Sequence, residues 1–139
     1  ASDMHKIPVT RAVVLISGEG SNLQALIDAQ KSRLYYIEIV RVVSNRMNAN
    51  GLNRAKAASI PTTYHNLVNG KYCAKGEIDE AVKKIGRQNY DHDLAKLVLA
   101  DKPHIVICAG FMHILSPSFL DPLDEQNIPV INLHPALYG

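Results

Sequence analysis

Arg11-Ala-Val-Val-Leu-Ile-Ser-Gly-Glu-Gly-Ser-Asn-Leu-Gln-Ala-Leu-Ile-Asp-Ala29 decides the fold. Its first third is a continuous apolar run, the pattern of a strand buried on both faces in a parallel sheet. Gly18 and Gly20 end that run, and Leu23, Leu26 and Ile27 then recur at helical spacing from Ser21 onward. The glycine turn exposes the start of the helix, where backbone N–H groups and the side chains of Ser21 and Asn22 offer donors to an anion. Capping of the helix by the same two residues is the plainer use of them.

The alternation continues along the chain. Residues 36–44 are apolar and β-branched and read as a second strand, 52–58 as a short alanine-rich helix, and Pro61-Thr-Thr-Tyr64 as a third strand. Residues 66–76 are polar, hold two glycines and read as a surface loop. A helical pattern covers 77–101 and stops at Lys102-Pro103, with Gly86 and Asn89 weakening its middle enough to allow two pieces. Residues 104–109 and 129–133 read as two more strands, with 118–125 helical or irregular between them. Strands alternating with helices specify an α/β fold. The expected form is a Rossmann-like, mostly parallel sheet with helices on both faces. Ligands bind such sheets outside the carboxyl ends of the strands, where the Gly18 loop, Gly110 and Asn132 to Pro135 should meet.

Composition narrows the classes. A chain of 139 residues is read as one domain, and 47% hydrophobic with 20% charged residues is ordinary for a globular protein. A net charge of +2 gives no argument for nucleic acid, and no apolar run has the length of a membrane span. Cys73 and Cys108 are far apart without metal-ligand spacing, which fits a reducing, cytoplasmic setting. Cys108 lies in the apolar run Ile105-Val-Ile-Cys-Ala109 and reads as a buried free thiol.

Chemistry concentrates in Ile128-Pro-Val-Ile-Asn-Leu-His-Pro135. Asn132 and His134 are two apart, so on a strand both side chains point to one face, about 6–7 Å apart at the Cα atoms. An amide donor beside an imidazole suits a reaction in which an oxyanion develops while a proton moves. His5, His65, His92 and His104 form no metal spacing and read as surface or loop residues. Lys71, Lys75, Lys83, Lys84 and Arg87 read as a solvated face, with Arg87 spaced to pair with Asp91 on one helix. The dinucleotide fingerprint is incomplete: Leu23 stands at the third glycine position, and Val43-Ser-Asn-Arg46 ends the second strand without an acid. A single phosphate therefore fits the glycine loop better than NAD, which weighs against a nucleotide-dependent oxidoreductase.

Val13-Val-Leu-Ile-Ser-Gly18, Gly20-Ser-Asn-Leu-Gln-Ala-Leu-Ile-Asp28, Ile105 to Pro117 and Asn132-Leu-His-Pro135 together resemble the phosphoribosylglycinamide formyltransferases (GAR transformylases), with a fungal character. The resemblance implies a formyltransferase fold that passes a formyl group from 10-formyltetrahydrofolate to the amine of glycinamide ribonucleotide in purine biosynthesis. It implies that Gly20, Ser21 and Asn22 hold the substrate phosphate. Met112, His113, Ile114 and Leu115 would line the pterin pocket, Arg87 would help place the folate, and Asn132 and His134 would flank the formyl group. Attack is then direct, with no metal and no covalent enzyme intermediate. Partners are small molecules, not nucleic acid or membrane; the oligomeric state is not implied.

Departures from the family pattern are specific. The family carries a catalytic aspartate a few dozen residues after the His-Pro motif, past Gly139. Residues 1–139 are therefore expected to be the N-terminal portion of a single formyltransferase domain, inactive or nearly so alone. The alternative is a phosphate-binding module without catalysis. Glu19 stands in the phosphate loop where a small polar residue is usual, and should point to solvent. His113 replaces a frequent bacterial arginine, and Tyr138 a common proline.

Overall fold

The computed structural model describes residues 9–32 and 36–133. Five parallel strands form one sheet: β1 (Thr10–Ile16), β2 (Ile37–Ser44), β3 (Thr62–Tyr64), β4 (Ile105–Ala109) and β5 (Val130–Leu133). The crossovers carry α1 (Ser21–Ser32), α2 (Asn50–Ala57), α3 (Glu80–Ala100) and α4 (Pro117–Glu125). Strand order is β3-β2-β1-β4-β5. The chain thus builds outward from β1 on one side, then returns to its other side with β4.

The apolar run of β1 is read out on both faces. Ala12, Val14 and Ile16 pack with Leu23 and Ile27 of α1 and with Leu52 and Ala55 of α2. Val13 and Leu15 pack with Tyr90, Leu94 and Val98 of α3 and with Phe119 and Leu123 of α4. This period-two division places helices on both faces, as the pattern predicts.

One alternative is corrected and two readings are sharpened. The 77–101 region is one helix, not two pieces, beginning at Glu80 behind Asp79, whose carboxylate accepts from the N–H groups of Ala81 and Val82. Gly86 does not break it because that glycine is a packing requirement: a Cβ there would stand 2.2 Å from the Tyr72 carbonyl oxygen. The loop over 66–76 is correspondingly anchored, with Cys73 buried against α3. Residues 118–125 are helical, with Pro117 in the first turn, where its missing N–H has no helical role.

Candidate active site

The order of strand addition reverses between β1 and β4, the point at which connections leaving adjacent strands run to opposite faces and open a crevice. The Met112 N–H donates to Ser17 Oγ at 2.7 Å, tying the loop after β4 to the end of β1. Register sets Leu15, Cys108 and Asn132 abreast on β1, β4 and β5. The three candidate regions therefore share one edge of the sheet.

On one side lies the start of α1. Its first helical bond runs from Gln24 N–H to the Gly20 carbonyl at 2.7 Å, so the amides of Ser21, Asn22 and Leu23 have no helical acceptor. Gly20 reaches this position with φ of +79°, which glycine adopts without penalty. Ser21 is exposed, and the half-buried Asn22 directs its Nδ2 to the Leu133 carbonyl at 3.5 Å, linking the helix start to the end of β5. Glu19 is exposed and lies toward α2: its carbonyl accepts from Arg54 Nε at 2.8 Å, and its carboxylate is 3.4 Å from Asn50 Nδ2. The carboxylate expected to face solvent does so.

On the other side a cavity of about 470 Å³ opens against β4 and β5. Phe111, Met112, Ile114, Leu115 and Val130 give it an apolar lining, with His113, Ile131 and Cys108 beside them. Asn132 contributes the side-chain amide at its edge. The lining is mixed, apolar side chains outnumbering the polar groups of His113 and Asn132, as in small-molecule sites generally. Burial pushes the Cys108 thiol up to about 11, so it stays protonated and acts as wall.

The segment after β4 alternates: Met112 and Ile114 are exposed while His113 and Leu115 turn inward. Inward, His113 Nε2 lies 2.7 Å from Asp91 Oδ1. The second oxygen of Asp91 accepts from Ser116 N–H at 2.7 Å and from Ser116 Oγ at 2.6 Å. Burial alone would raise the Asp91 pKa, but these bonds from His113 and Ser116 hold it below the ordinary value. The expected helix pairing of Arg87 with Asp91 is thus overturned, because Asp91 faces the β4 loop. Arg87 is exposed and lines a cleft with Leu67, Met112, His113 and Ile114.

His65 is a second correction. It is buried, stacked on Tyr90 at 4.2 Å between ring centroids, with Nε2 3.2 Å from the Tyr90 carbonyl oxygen. Tyr90 returns its hydroxyl proton to the His65 carbonyl at 2.7 Å. His113 meets the same tyrosine edge-on at 5.0 Å. His92 and His104 are exposed, the latter accepting from Arg11 N–H through Nδ1.

His134 and Tyr138 lie outside the described residues, as does His5. The structure gathers Asn132 and residues 112–115 around one cavity, with Arg87 reaching the same segment from α3. Gly20, Ser21 and Asn22 lie across the β1–β4 crevice. Sequence reasoning missed Ser17, Gly51 and Asp91. Asp91 had a legible signal: it occupies the helix face shared by Tyr90, Leu94 and Val98, where an acid needs buried partners. Among the described residues no three His, Cys, Asp or Glu side chains cluster to hold a metal ion, and no helix is long and apolar enough to cross a membrane.

Comparison with known proteins gives a consistent picture. The Formyl transferase family profile matches residues 10–139. The phosphoribosylglycinamide formyltransferase of Schizosaccharomyces pombe is 49% identical over 133 residues, covering 94% of this chain and 61% of that relative. Its counterpart in Saccharomyces cerevisiae is 48% identical over 134 residues, with the same coverage of 94% and 61%. Among solved structures, the phosphoribosylglycinamide formyltransferase of Coxiella burnetii superposes with a TM-score of 0.71 at 34% identity, over 94% of this chain and 54% of that one. The chain spans about 61% of the length of these two fungal relatives.

Proposed function

This chain belongs to the formyl transferase family, and we propose that it supplies the substrate-anchoring part of an enzyme that formylates glycinamide ribonucleotide from 10-formyltetrahydrofolate. The relatives named above are phosphoribosylglycinamide formyltransferases by name, which supports the acceptor and the group transferred. The observation that carries the reading is the cavity shared by residues 112–115 and Asn132, set across one crevice from the open N-terminus of α1. A phosphate anchor and an apolar slot on either side of one amide suit a phosphorylated amine and a flat formyl donor.

In this reading the amides of Ser21 and Asn22 and their side chains bind the phosphate, where the helix start favours negative charge. Met112, Ile114 and Leu115 hold the pterin, His113 backs that segment from within, and Arg87 meets the anionic end of the folate. The substrate amine attacks the formyl carbon, its oxygen gains charge, and Asn132 donates to that oxygen. His134 relays the proton leaving the amine. The family pattern adds an aspartate that would complete the proton path, and this chain spans about 61% of the fungal relatives, so the chemical step is assigned to a polypeptide of their full length. The buried thiols of Cys73 and Cys108 suit a cytoplasmic location.

Calorimetric titration of this chain with glycinamide ribonucleotide and a folate analogue, beside an assay of a polypeptide spanning the full family length, tests the reading. Binding of both ligands with turnover only in the longer polypeptide is expected. Full turnover by residues 1–139 would overturn the division of labour, and failure to bind either ligand would overturn the site.

A further inference from the structure

We propose that Asp91 is a positioning residue that holds residues 112–115 in the geometry presenting Met112 and Ile114 to the cavity; the identity of the ligand there rests on the formyl-transfer reading above. Met112 and Ile114 are 77% and 94% exposed, although both are large and apolar. A free segment would gain by folding these side chains down onto the protein. Two tethers oppose that collapse. Ser17 Oγ fastens the segment at the Met112 amide, 2.7 Å away. Asp91, only 1% exposed, fastens it again through the His113 ring and through both the amide and the hydroxyl of Ser116.

The anchor itself is rigid. Asp91 sits in mid-helix on α3 between the fully packed Tyr90 and Leu94. All three of its hydrogen-bond donors belong to the loop after β4, and none belongs to α3. A carboxylate serving only its own helix would cap it or pair one turn away, yet Arg87 remains on the cleft side facing the same segment. The His113 ring is further held edge-on by Tyr90 at 5.0 Å and by Phe111 at 5.8 Å. With the segment held at Met112, His113 and Ser116, Met112 and Ile114 are kept on its outward side, which is the preorganisation a ligand would otherwise have to impose.

Asp91→Asn places an amide N–H among three donors and tests the tether. Hydrogen exchange of the amides of residues 112–116 should accelerate while those of β1 and α1 stay protected. The Kd for a folate analogue should rise roughly tenfold or more, as for loss of charged hydrogen bonds, while that for glycinamide ribonucleotide changes less than about twofold. His113→Leu, a milder change, should reproduce part of the loosening, and His113→Gln, which keeps an N–H donor, should restore most of it. Unchanged exchange at 112–116 in Asp91→Asn, equal losses for both ligands, or identical behaviour of the two His113 variants would overturn the proposal. If the unsubstituted chain binds no folate analogue, the formyl-transfer reading fails while the exchange measurement still decides the tether.

Discussion

Gly20 and Gly51 meet face to face: a Cβ built on Gly20 would stand 2.6 Å from the Gly51 Cα, and one built on Gly51 3.3 Å from the Gly20 Cα. The contact seats the start of α2 against the glycine loop, where Gly51 N–H donates to the Gly18 carbonyl at 3.0 Å. The proposed phosphate loop therefore takes its shape from a helix 30 residues further along as well as from its own glycines.

That contact orders two substitutions. Gly20→Ala forces an L side chain to φ of +79° and drives it into backbone. The left-handed conformation alone costs about 1–2 kcal/mol. Gly51→Ala meets the Ile16 Cδ1 at 2.5 Å, an overpacking of about 1–3 kcal/mol, partly offset by roughly 1 kcal/mol of helix propensity. Thermal unfolding should show Gly20→Ala as the more damaging of the two; the reverse order would mean that the loop yields where α2 does not.

Asn22→Ala removes one donor from the proposed anchor. Among the described residues its side chain makes one hydrogen bond, the long 3.5 Å one to the Leu133 carbonyl, so the melting temperature should hardly move. Affinity for glycinamide ribonucleotide should fall by about 1.5–3 kcal/mol, roughly tenfold to a hundredfold in Kd. Calorimetry showing unchanged affinity would remove Asn22 from the anchor.

Asn132→Ala bears on the chemical step. In a polypeptide spanning the family's full length, losing a donor to the developing oxyanion should lower kcat about 10²–10³-fold with little change in KM. A rise in KM at constant kcat would instead make Asn132 a binding residue. The exposed position of Asn132 at the cavity edge predicts no loss of stability.

Stability should decline on mild acidification. Burial lowers the His65 pKa, outweighing the Tyr90 carbonyl and the nearby acids, which favour the proton. Because the unfolded chain binds that proton more readily, the His65 contribution is complete above the unfolded value of about 6.5 and is lost as pH falls through the lower folded value. Asp91, also held low, keeps its contribution until pH falls below the ordinary carboxylate range. Urea midpoints measured from about pH 7 to about pH 5 should therefore fall, and His65→Gln should flatten the slope. A midpoint that rises over this interval would contradict the burial of His65 as a neutral ring.

Local pattern carried the order of elements and the residues at the proposed anchor. The run of residues 11–16, the glycine turn and the spacing of Leu23 and Ile27 are properties of neighbouring residues, so they are legible before any tertiary contact exists. The same holds for β5 and for Asn132 upon it. The pairings that shape the site are different in kind. Asp91 meets His113 and Ser116, Ser17 meets Met112, Gly20 meets Gly51, and His65 stacks on Tyr90, all across 22 to 95 residues of chain. The spacing of Arg87 and Asp91 made a helix pair look natural, and Gly86 allowed α3 to be two pieces. Neither possibility is realised, because burial against another element outweighed local preference: Asp91 was turned to donors on the β4 loop, and Gly86 was needed where the Tyr72 carbonyl comes close. Secondary structure follows from periodicity within one segment, whereas the partner of a buried polar group is set only when β4 returns beside β1 and brings its loop over α3.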